Sequence, residues 1–254
     1  MKTKLLVSLS LVAATCVVAI GMPSAAMAAS TTYRATLKPL NHSTASGSVT
    51  VVLNGNQATI TEQVSGLAAK FSGAAYPHVQ HIHGAARGVC PPASADKNGD
   101  GVISTTEGMP SYGMILTTLS KTGDTSPAAA TNLKVAPSGG SFSYTRTITL
   151  SAAAMKSLKA GIAVVVVHGL DPATLSKKAQ AAKSDIVPSL PLAATSPALC
   201  GKLVATQMST LPKGGVNTGG GSTSGMQDGS LYVLSAGLLL AAGALLVVRR
   251  RLLQ

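Results

Sequence analysis

The pattern that most restricts the fold is an Asn-Gly pair between two segments in which apolar and polar residues alternate. Residues 48–53 read SVTVVL, residues 58–64 read ATITEQV, and Asn54 and Gly55 lie between them. This arrangement is the strongest local signal for a β-hairpin, because a two-residue turn of this kind matches the twist of paired strands. We therefore predict a meander of antiparallel strands over residues 32–67.

Further short strands are predicted by composition along the rest of the chain: the histidine segment around 81–83, then 114–119, 142–150, 162–168 and 199–204. The most apolar of them reads IAVVVVH, and we expect it to be central. Residues 133–135 are expected to pair briefly. Seven or eight strands separated by turn signals favour an all-β sandwich over an α/β fold, with one domain over residues 29–206.

Two helical segments are predicted beside these strands. Ser151 has the chemistry of an N-cap for a short helix over 152–159, which Gly161 ends. Residues 172–184 are rich in Lys, Ala and Gln without a consistent apolar face, and we interpret them as a surface helix or loop.

The N-terminal residues have the three parts of a secretory signal peptide. Residues 1–4 are basic, 5–21 are largely apolar, and Ala26-Met27-Ala28 offers the small residues that signal peptidase accepts. We predict a signal peptide over residues 1–28. Export of the chain is the consequence.

The C-terminal residues resemble a membrane anchor. Residues 231–248 carry no charge and are followed by three arginines at 249–251. Such a run is near the shortest that crosses a bilayer, and arginines after it belong on the cytoplasmic side. We predict a transmembrane helix over 231–248, a cytoplasmic tail over 249–254, and a flexible Gly- and Ser-rich stalk over 207–230. A buried core helix and sortase attachment to the wall, through the LPKGG at 211–215, are the alternatives.

The distribution of charge argues against nucleic acid as a partner. The chain has 20 Lys and Arg against 8 Asp and Glu, a formal net charge of +12, but outside its two terminal segments the basic residues are scattered singly apart from Lys177 and Lys178. No nucleic-acid-binding patch is evident. A cationic ectodomain can associate with anionic cell-wall polymers, and an ordinary solvated surface is the simpler interpretation.

Two cysteines, Cys90 and Cys200, remain once the signal peptide with Cys16 is removed. An even number of distant cysteines in an exported protein predicts one structural disulfide, and two free thiols are the alternative. Closing so long a loop contributes about 4–5 kcal/mol in the chain-entropy model.

Residues 96–107 fill every position of the calcium-loop pattern D-x-[DN]-x-[DN]-G-x5-E. The predicted ligands are the side chains or carbonyls of Asp96, Asn98, Asp100, Val102, Ser104 and Glu107. Pro91 and Pro92 before the loop, and Gly108 and Pro110 after it, leave no room for two long helices. We therefore expect a structural calcium clasp rather than a sensor, with an Asx-rich turn that binds no metal as the alternative.

The histidines are the second candidate metal site. His81 and His83 are two residues apart, so on a strand both point to one face, and His168 at the end of the Val-rich strand is a third ligand from elsewhere in the sheet. The alternative is a hydrogen-bonded strand end that holds no metal.

The order of these motifs resembles that of copper/zinc superoxide dismutases and of chordin-type (CHRD) domains in surface proteins of actinobacteria. The resemblance covers roughly residues 32–204, and its motifs are His81-Ile82-His83-Gly84, Cys90, Val166-Val167-His168-Gly169 and Leu199-Cys200-Gly201. It implies a Greek-key β-sandwich of seven to eight strands, copper ligands at His81, His83 and His168, and a disulfide between Cys90 and Cys200. We consider His78 as a substitute fourth ligand.

Two departures from the dismutases weigh against catalysis. The chain has no histidine between His83 and His168, where the dismutases keep their bridging and zinc-binding histidines, and Pro197 stands where their active-site arginine is expected. We therefore expect a membrane-anchored, cell-surface binding module of the CHRD type, stabilised by calcium and a disulfide and holding copper. A copper-dependent superoxide dismutase, active or vestigial, and an extracytoplasmic copper-binding protein are the alternatives.

Overall fold

A computed structural model describes residues 30–206 of the chain. The predicted signal peptide, stalk, transmembrane helix and cytoplasmic tail lie outside these residues. Within residues 30–206, no helix is long and apolar enough to cross a membrane.

The described part of the chain is mostly β-structure, as predicted. Its strands are β1 Thr31–Pro39, β2 Ser46–Asn54, β3 Gln57–Ser65, β4 Lys70–Phe71, β5 Ala74–Ala75, β6 Gln80–Gly84, β7 Met114–Thr118, β8 Ser141–Thr149, β9 Val164–His168, β10 Pro197–Lys202 and β11 Val204–Thr206. The α-helices are α1 Thr105–Tyr112, α2 Ala152–Lys159, α3 Lys177–Ala181 and α4 Leu192–Thr195.

One antiparallel sheet carries the strands in the order β7-β6-β9-β10-β1-β2-β3-β8, with β11 pairing beside β1. The sheet is curled, because its two ends approach each other. Arg146 on β8 donates hydrogen bonds to the carbonyl and hydroxyl of Ser120, two residues after the end of β7, at 2.7 and 2.8 Å. A small hairpin of β4 and β5 is separate from this sheet.

The predicted hairpin forms between β2 and β3. Asn54 pairs with Gln57, which leaves Gly55 and Asn56 as a two-residue turn, and Gly55 takes a φ of 60°. Glycine adopts this left-handed conformation without steric cost. Alternate residues of β3 are buried, so its pattern of apolar residues faces the inside of the curl.

Strand β9 is buried on both faces, which explains why it is the most apolar strand. Val165 and Val167 belong to the large core inside the curl, whereas Val164 and Val166 pack on the outer face with Tyr112 and Cys200. The outer face is covered by the long connections between strands. This face is where His168 lies, two residues after Val166.

The helices agree with the sequence in part. Helix α2 occupies the predicted residues, with the Ser151 hydroxyl accepting from the Ala154 N–H, and α3 lies in the segment predicted as a surface helix or loop. Residues 133–135 form a 3-10 turn rather than a pairing strand. Helix α1 was not predicted. It begins at the end of the acidic loop, where Ser104 and Glu107 form a capping box that outweighs the presence of Gly108 and Pro110.

Glu62 is an acidic side chain inside the curl of the sheet. It is 0 % exposed and lies opposite Tyr144 on the neighbouring strand β8. Burial raises the pKa of Glu62 to about 8, and the Gln80 amide lies near enough to oppose this slightly. Neither carboxylate oxygen is in hydrogen-bond geometry with any of the described residues. The core is therefore built around a protonated glutamic acid.

Replacing Glu62 with Gln should remove a pH dependence of stability. The folded pKa of about 8 lies above the unfolded value of 4.5, so the folded state keeps a proton that the unfolded state loses. The wild-type free energy of unfolding should fall between these pH values by up to about 1.4 kcal/mol per pH unit. Urea denaturation at several pH values should show the free energy of unfolding of E62Q rising relative to that of the wild type as the pH increases. Above about pH 8 this difference should become constant.

The matched control is Gln63→Glu, which places a carboxylate at the adjacent exposed position of β3. It should not change the pH dependence of wild-type stability in this range. Parallel stability curves for wild type and E62Q would contradict a protonated Glu62 in the fold.

Candidate metal centre

Pairing between β6 and β9 gathers the three predicted copper ligands on one face of the sheet. His81 lies opposite Val166 and His83 opposite Val164 in this antiparallel pair. His168 follows Val166 by two residues on β9, so all three imidazoles point to the outer face. The sheet register, rather than a loop, therefore holds the group together.

The three imidazoles converge. Their ring centroids are separated by 5.6 Å for His81–His83, 5.2 Å for His81–His168 and 6.1 Å for His83–His168. One nitrogen from each ring lies within 4.8 Å of one from each of the others. Three nitrogens bound to one ion at about 2.0–2.1 Å, in tetrahedral or trigonal geometry, lie about 3.3–3.6 Å apart. The group therefore fits one ion if the ring nitrogens approach one another by up to about 1.5 Å.

Each of the three rings has one nitrogen that is hydrogen-bonded to a backbone carbonyl. His81 Nε2 donates to Ala130 at 3.0 Å, His83 Nδ1 to Gly113 at 2.9 Å, and His168 Nδ1 to Thr195 at 2.6 Å. A carbonyl oxygen only accepts, so these nitrogens carry the proton.

The opposite nitrogen of each ring therefore holds a lone pair. His81 Nδ1, His83 Nε2 and His168 Nε2 are all buried and have no hydrogen-bond partner among the described residues. Three unpartnered buried acceptors in one place are costly unless something binds to them. A histidine that donates one ring N–H to a carbonyl and points its other nitrogen at an ion is the usual arrangement of a metal ligand.

Burial keeps all three imidazoles neutral. The rings are 2 %, 1 % and 2 % exposed for His81, His83 and His168. Burial lowers the pKa of His83 to about 3 and that of His168 to about 4. It lowers the pKa of His81 well below its usual value, with the neighbouring His168 and His83 adding to the effect. A cation therefore need not compete with protons for these nitrogens near neutral pH.

The donor set narrows the choice of metal. Three imidazoles without a thiolate or carboxylate suit copper, zinc, iron or nickel rather than calcium or magnesium. Within residues 30–206, this is the group in which at least three His, Cys, Asp or Glu side chains come close enough to share one ion. This geometry is consistent with the metal site that the sequence predicts at three histidines.

His78 does not join the group. Its Nδ1 lies 2.9 Å from the carbonyl of His168 and its Nε2 lies 3.0 Å from that of Ala68. Both ring nitrogens therefore face acceptors, and neither points a lone pair at the other three histidines. His78 instead connects the end of β9 to the segment before β4. His42, the fifth histidine, lies exposed in the turn after β1.

The predicted disulfide between Cys90 and Cys200 is present, with a sequence separation of 110 residues. Cys200 on β10 pairs with Val166, the β9 residue that faces His81 across the sheet. The disulfide thus fastens the connection after β6 to the outer face on which the histidines lie.

The acidic loop folds around its own backbone. The Asp96 carboxylate accepts from the N–H groups of Gly99 and Gly101 at 2.8 and 2.9 Å. Asn98 Oδ1 accepts from the N–H of Asp100, and Asp100 Oδ1 from that of Val102, both at 2.8 Å. These are three of the side chains predicted to bind calcium.

The rest of the loop holds helix α1. Glu107 accepts from the backbone N–H groups of Lys97, Asn98 and Ser104, at 2.8, 3.2 and 2.9 Å. The Ser104 hydroxyl accepts from the Glu107 N–H at 3.3 Å. The carboxylates do not form a group of three that could share an ion, so calcium at this loop stays a prediction.

Sequence reasoning missed the groups that orient the histidines. The three acceptors belong to the backbone of Ala130, Gly113 and Thr195, and a backbone carbonyl leaves no trace in residue identity. Tyr112 was missed as well. It is fully buried, and its ring stands edge-on to His83 at 4.6 Å. Only the position of Tyr112 at the end of a helix that was not predicted could have revealed it.

Compared with known proteins, the chain matches no protein-family model and no curated protein sequence. The resemblance to dismutases and CHRD domains therefore stays an expectation from motif order. The metal centre is inferred from the geometry of His81, His83 and His168.

The three histidines should stay neutral in the metal-free protein well below neutral pH. Their folded pKa values lie below the unfolded value of 6.5, so the unfolded chain binds protons first. Any stability that depends on their neutrality is present above pH 6.5 and is lost as the pH falls towards the folded values. In an NMR titration from about pH 8 to about pH 5, the ring shifts of all three should stay those of a neutral imidazole.

The control is the same protein unfolded in urea, in which these histidines should titrate near the ordinary pKa. Protonation of any of the three above about pH 6 in the folded protein would show that the site is more polar than the geometry indicates.

Proposed function

We propose that the protein is an exported, membrane-anchored module that holds one copper ion between His81, His83 and His168. The observation that carries this proposal is the set of three buried, unpartnered ring nitrogens on three imidazoles that lie close together. A cation would satisfy all three lone pairs at once, and a buried water that donates hydrogen bonds is the other species that could occupy such a site. Hydrogen bonds to backbone carbonyls already fix the orientation of each ring.

Copper is the metal that this site favours. Divalent copper binds a given set of nitrogen ligands more tightly than the other first-row metals, zinc included. The neutral site carries no negative charge that would favour a hard cation such as calcium. The motif order shared with the dismutases supports the same metal.

The finer description of the fold, a Greek-key β-sandwich, is part of this proposal. The sheet divides into two groups of four neighbouring strands, β7-β6-β9-β10 and β1-β2-β3-β8. The two groups meet where β1 pairs with β10. The chain passes from β7 to β8 in the other group and returns to β9, as Greek-key connections do. This order supports a sandwich of two curled halves.

Export is supported by the disulfide. Such bonds form and persist outside the reducing cytosol, and Cys90–Cys200 fastens the outer face of the sheet. The signal peptide at 1–28 and the transmembrane helix at 231–248 complete this proposal of a cell-surface protein. Contact with wall polymers, through the basic ectodomain, is the partner that we propose.

Binding without turnover is favoured over the dismutase alternative. The ligand nitrogens are closed off from solvent, whereas a dismutase must bring superoxide to its metal. Pro197 also supplies no cation at the position where a dismutase would use arginine. If the ion binds, its role would be retention of copper or stabilisation of the outer face.

The first test is copper stoichiometry in the full-length protein purified in mild detergent. We expect one tightly bound copper ion per chain, and affinity lowered by more than about 100-fold in H83Q or H168Q, because each removes one of three ligands. Titration against a competing chelator measures the affinity. The matched controls are H42Q and H78Q, which should keep the full stoichiometry.

A superoxide-consumption assay on the same copper-loaded sample separates the two functions. The copper-binding module predicts no activity beyond that of the metal-free protein. Rapid turnover that H83Q abolishes would support the dismutase alternative instead. Absence of stoichiometric copper, zinc, iron and nickel would refute the metal centre itself.

Calcium at residues 96–107 is a separate proposal, supported by the complete loop pattern. A bound ion would cross-link the oxygens of Asp96, Asn98, Asp100 and Glu107, so it should raise the melting temperature. At calcium one hundred times the dissociation constant, the stabilisation would be about 2.7 kcal/mol. Thermal melts with calcium and with chelator measure it, with D96N as the control. No shift in melting temperature on adding calcium would refute the clasp.

A further inference from the structure

We infer that helix α1 is the positioning element of this metal centre, because Tyr112 and Thr105 join His83 and His168 into one mechanical unit. The inference rests on the proposed function for its metal, but the unit itself consists of contacts in the metal-free protein. It assigns a purpose to a helix that the sequence did not predict.

The C-terminal end of α1 orients His83. Gly113, directly after the helix, accepts the His83 Nδ1 hydrogen bond at 2.9 Å and donates its own N–H to Met109 within the helix at 2.8 Å. A Cβ at Gly113 would collide with the carbonyl of Gly84 at the end of β6. The helix end is therefore pressed against the strand that carries His83, and Tyr112 packs edge-on to the ring.

The N-terminal end of α1 orients His168. The carbonyl of Thr195 accepts the His168 Nδ1 hydrogen bond at 2.6 Å and also that of the Thr105 hydroxyl at 2.6 Å. A carbonyl has two lone pairs and can accept both. Thr105 thus fixes the acceptor that fixes His168.

Tyr112 locks the two ends of the helix together. Its hydroxyl donates to the carbonyl of Thr105 at 2.8 Å, and the residue is fully buried. Its ring lies against Gly108, where a Cβ would collide with it. A continuous path therefore runs from the His83 ring through Tyr112, Thr105 and the Thr195 carbonyl to the His168 ring.

The hydrogen bond that orients His81 lies outside this path. Its acceptor is Ala130, at the end of the 3-10 turn Pro127–Ala129. Neither Tyr112 nor Thr105 bonds to that turn. A disturbance of α1 should therefore move two of the three ligands together and leave the third in place.

Two variants break the path at different points. Thr105→Val removes the hydroxyl that bonds to Thr195, and Tyr112→Phe removes the hydroxyl that bonds to Thr105 while keeping the ring beside His83. Thr105→Ser keeps the hydroxyl and should behave as the wild type. The matched controls are Thr174→Val, which removes an exposed threonine hydroxyl that donates to the Asp171 carbonyl, and Tyr144→Phe, which removes a buried tyrosine hydroxyl inside the curl.

The deciding measurement is NMR of the imidazole N–H groups in the metal-free, full-length protein. In T105V and in Y112F alike, we expect the Nδ1–H signals of both His83 and His168 to shift and to exchange faster with solvent. The Nε2–H of His81 should keep its position, and both controls and T105S should match the wild type. A response confined to His168 in T105V and to His83 in Y112F would overturn the inference, because the two contacts would then be separate.

A second measurement concerns the loaded site. Removing a group that orients a ligand typically costs about 10–100-fold in metal affinity, so T105V and Y112F should bind copper weaker by that factor, with a changed EPR spectrum. Wild-type affinity and spectrum in both variants would overturn the positioning role. If no form binds copper while the paired NMR response remains, the proposed function fails and the mechanical unit stands.

Discussion

The antiparallel pairing of β6 with β9 is the contact on which the rest of this structure depends. Its register places His81 and His83 opposite Val166 and Val164, and the pleat of the strands then brings His168 to the same face. A shift of one residue along either strand would turn that strand's imidazoles into the core inside the curl. The alternation on β6 opposes this shift, because Ile82 packs in the core inside the curl between two histidines that face outward.

The same burial sets the chemistry of the site. Neutral imidazoles can be buried at moderate cost, whereas imidazolium ions cannot. One nitrogen of each ring donates a hydrogen bond to a backbone carbonyl. The other nitrogen of each ring is buried and has no hydrogen-bond partner among the described residues. The protein therefore buries three imidazoles where apolar side chains would cost less free energy. Metal binding is the reason that we propose for this burial.

Sequence patterns were sufficient for the all-β class, the hairpin at Gly55, helix α2, the cysteine pairing and the convergence of three histidines. Each depends on local periodicity, on turn chemistry or on residue types with few uses. Sequence patterns were insufficient for α1. Gly108 and Pro110 suggest a loop there, but the capping box of Ser104 and Glu107 stabilises the start of a helix. Sequence patterns also could not show that His78 faces two carbonyls, because backbone acceptors are set by tertiary structure.

The most direct test of the central claim is a crystal structure of the copper-loaded protein with anomalous scattering measured at the copper edge. The account predicts one copper ion about 2.0–2.1 Å from His81 Nδ1, His83 Nε2 and His168 Nε2, the three nitrogens that lack partners. Copper bound at the acidic loop or at His78, with the three nitrogens still free, would contradict it.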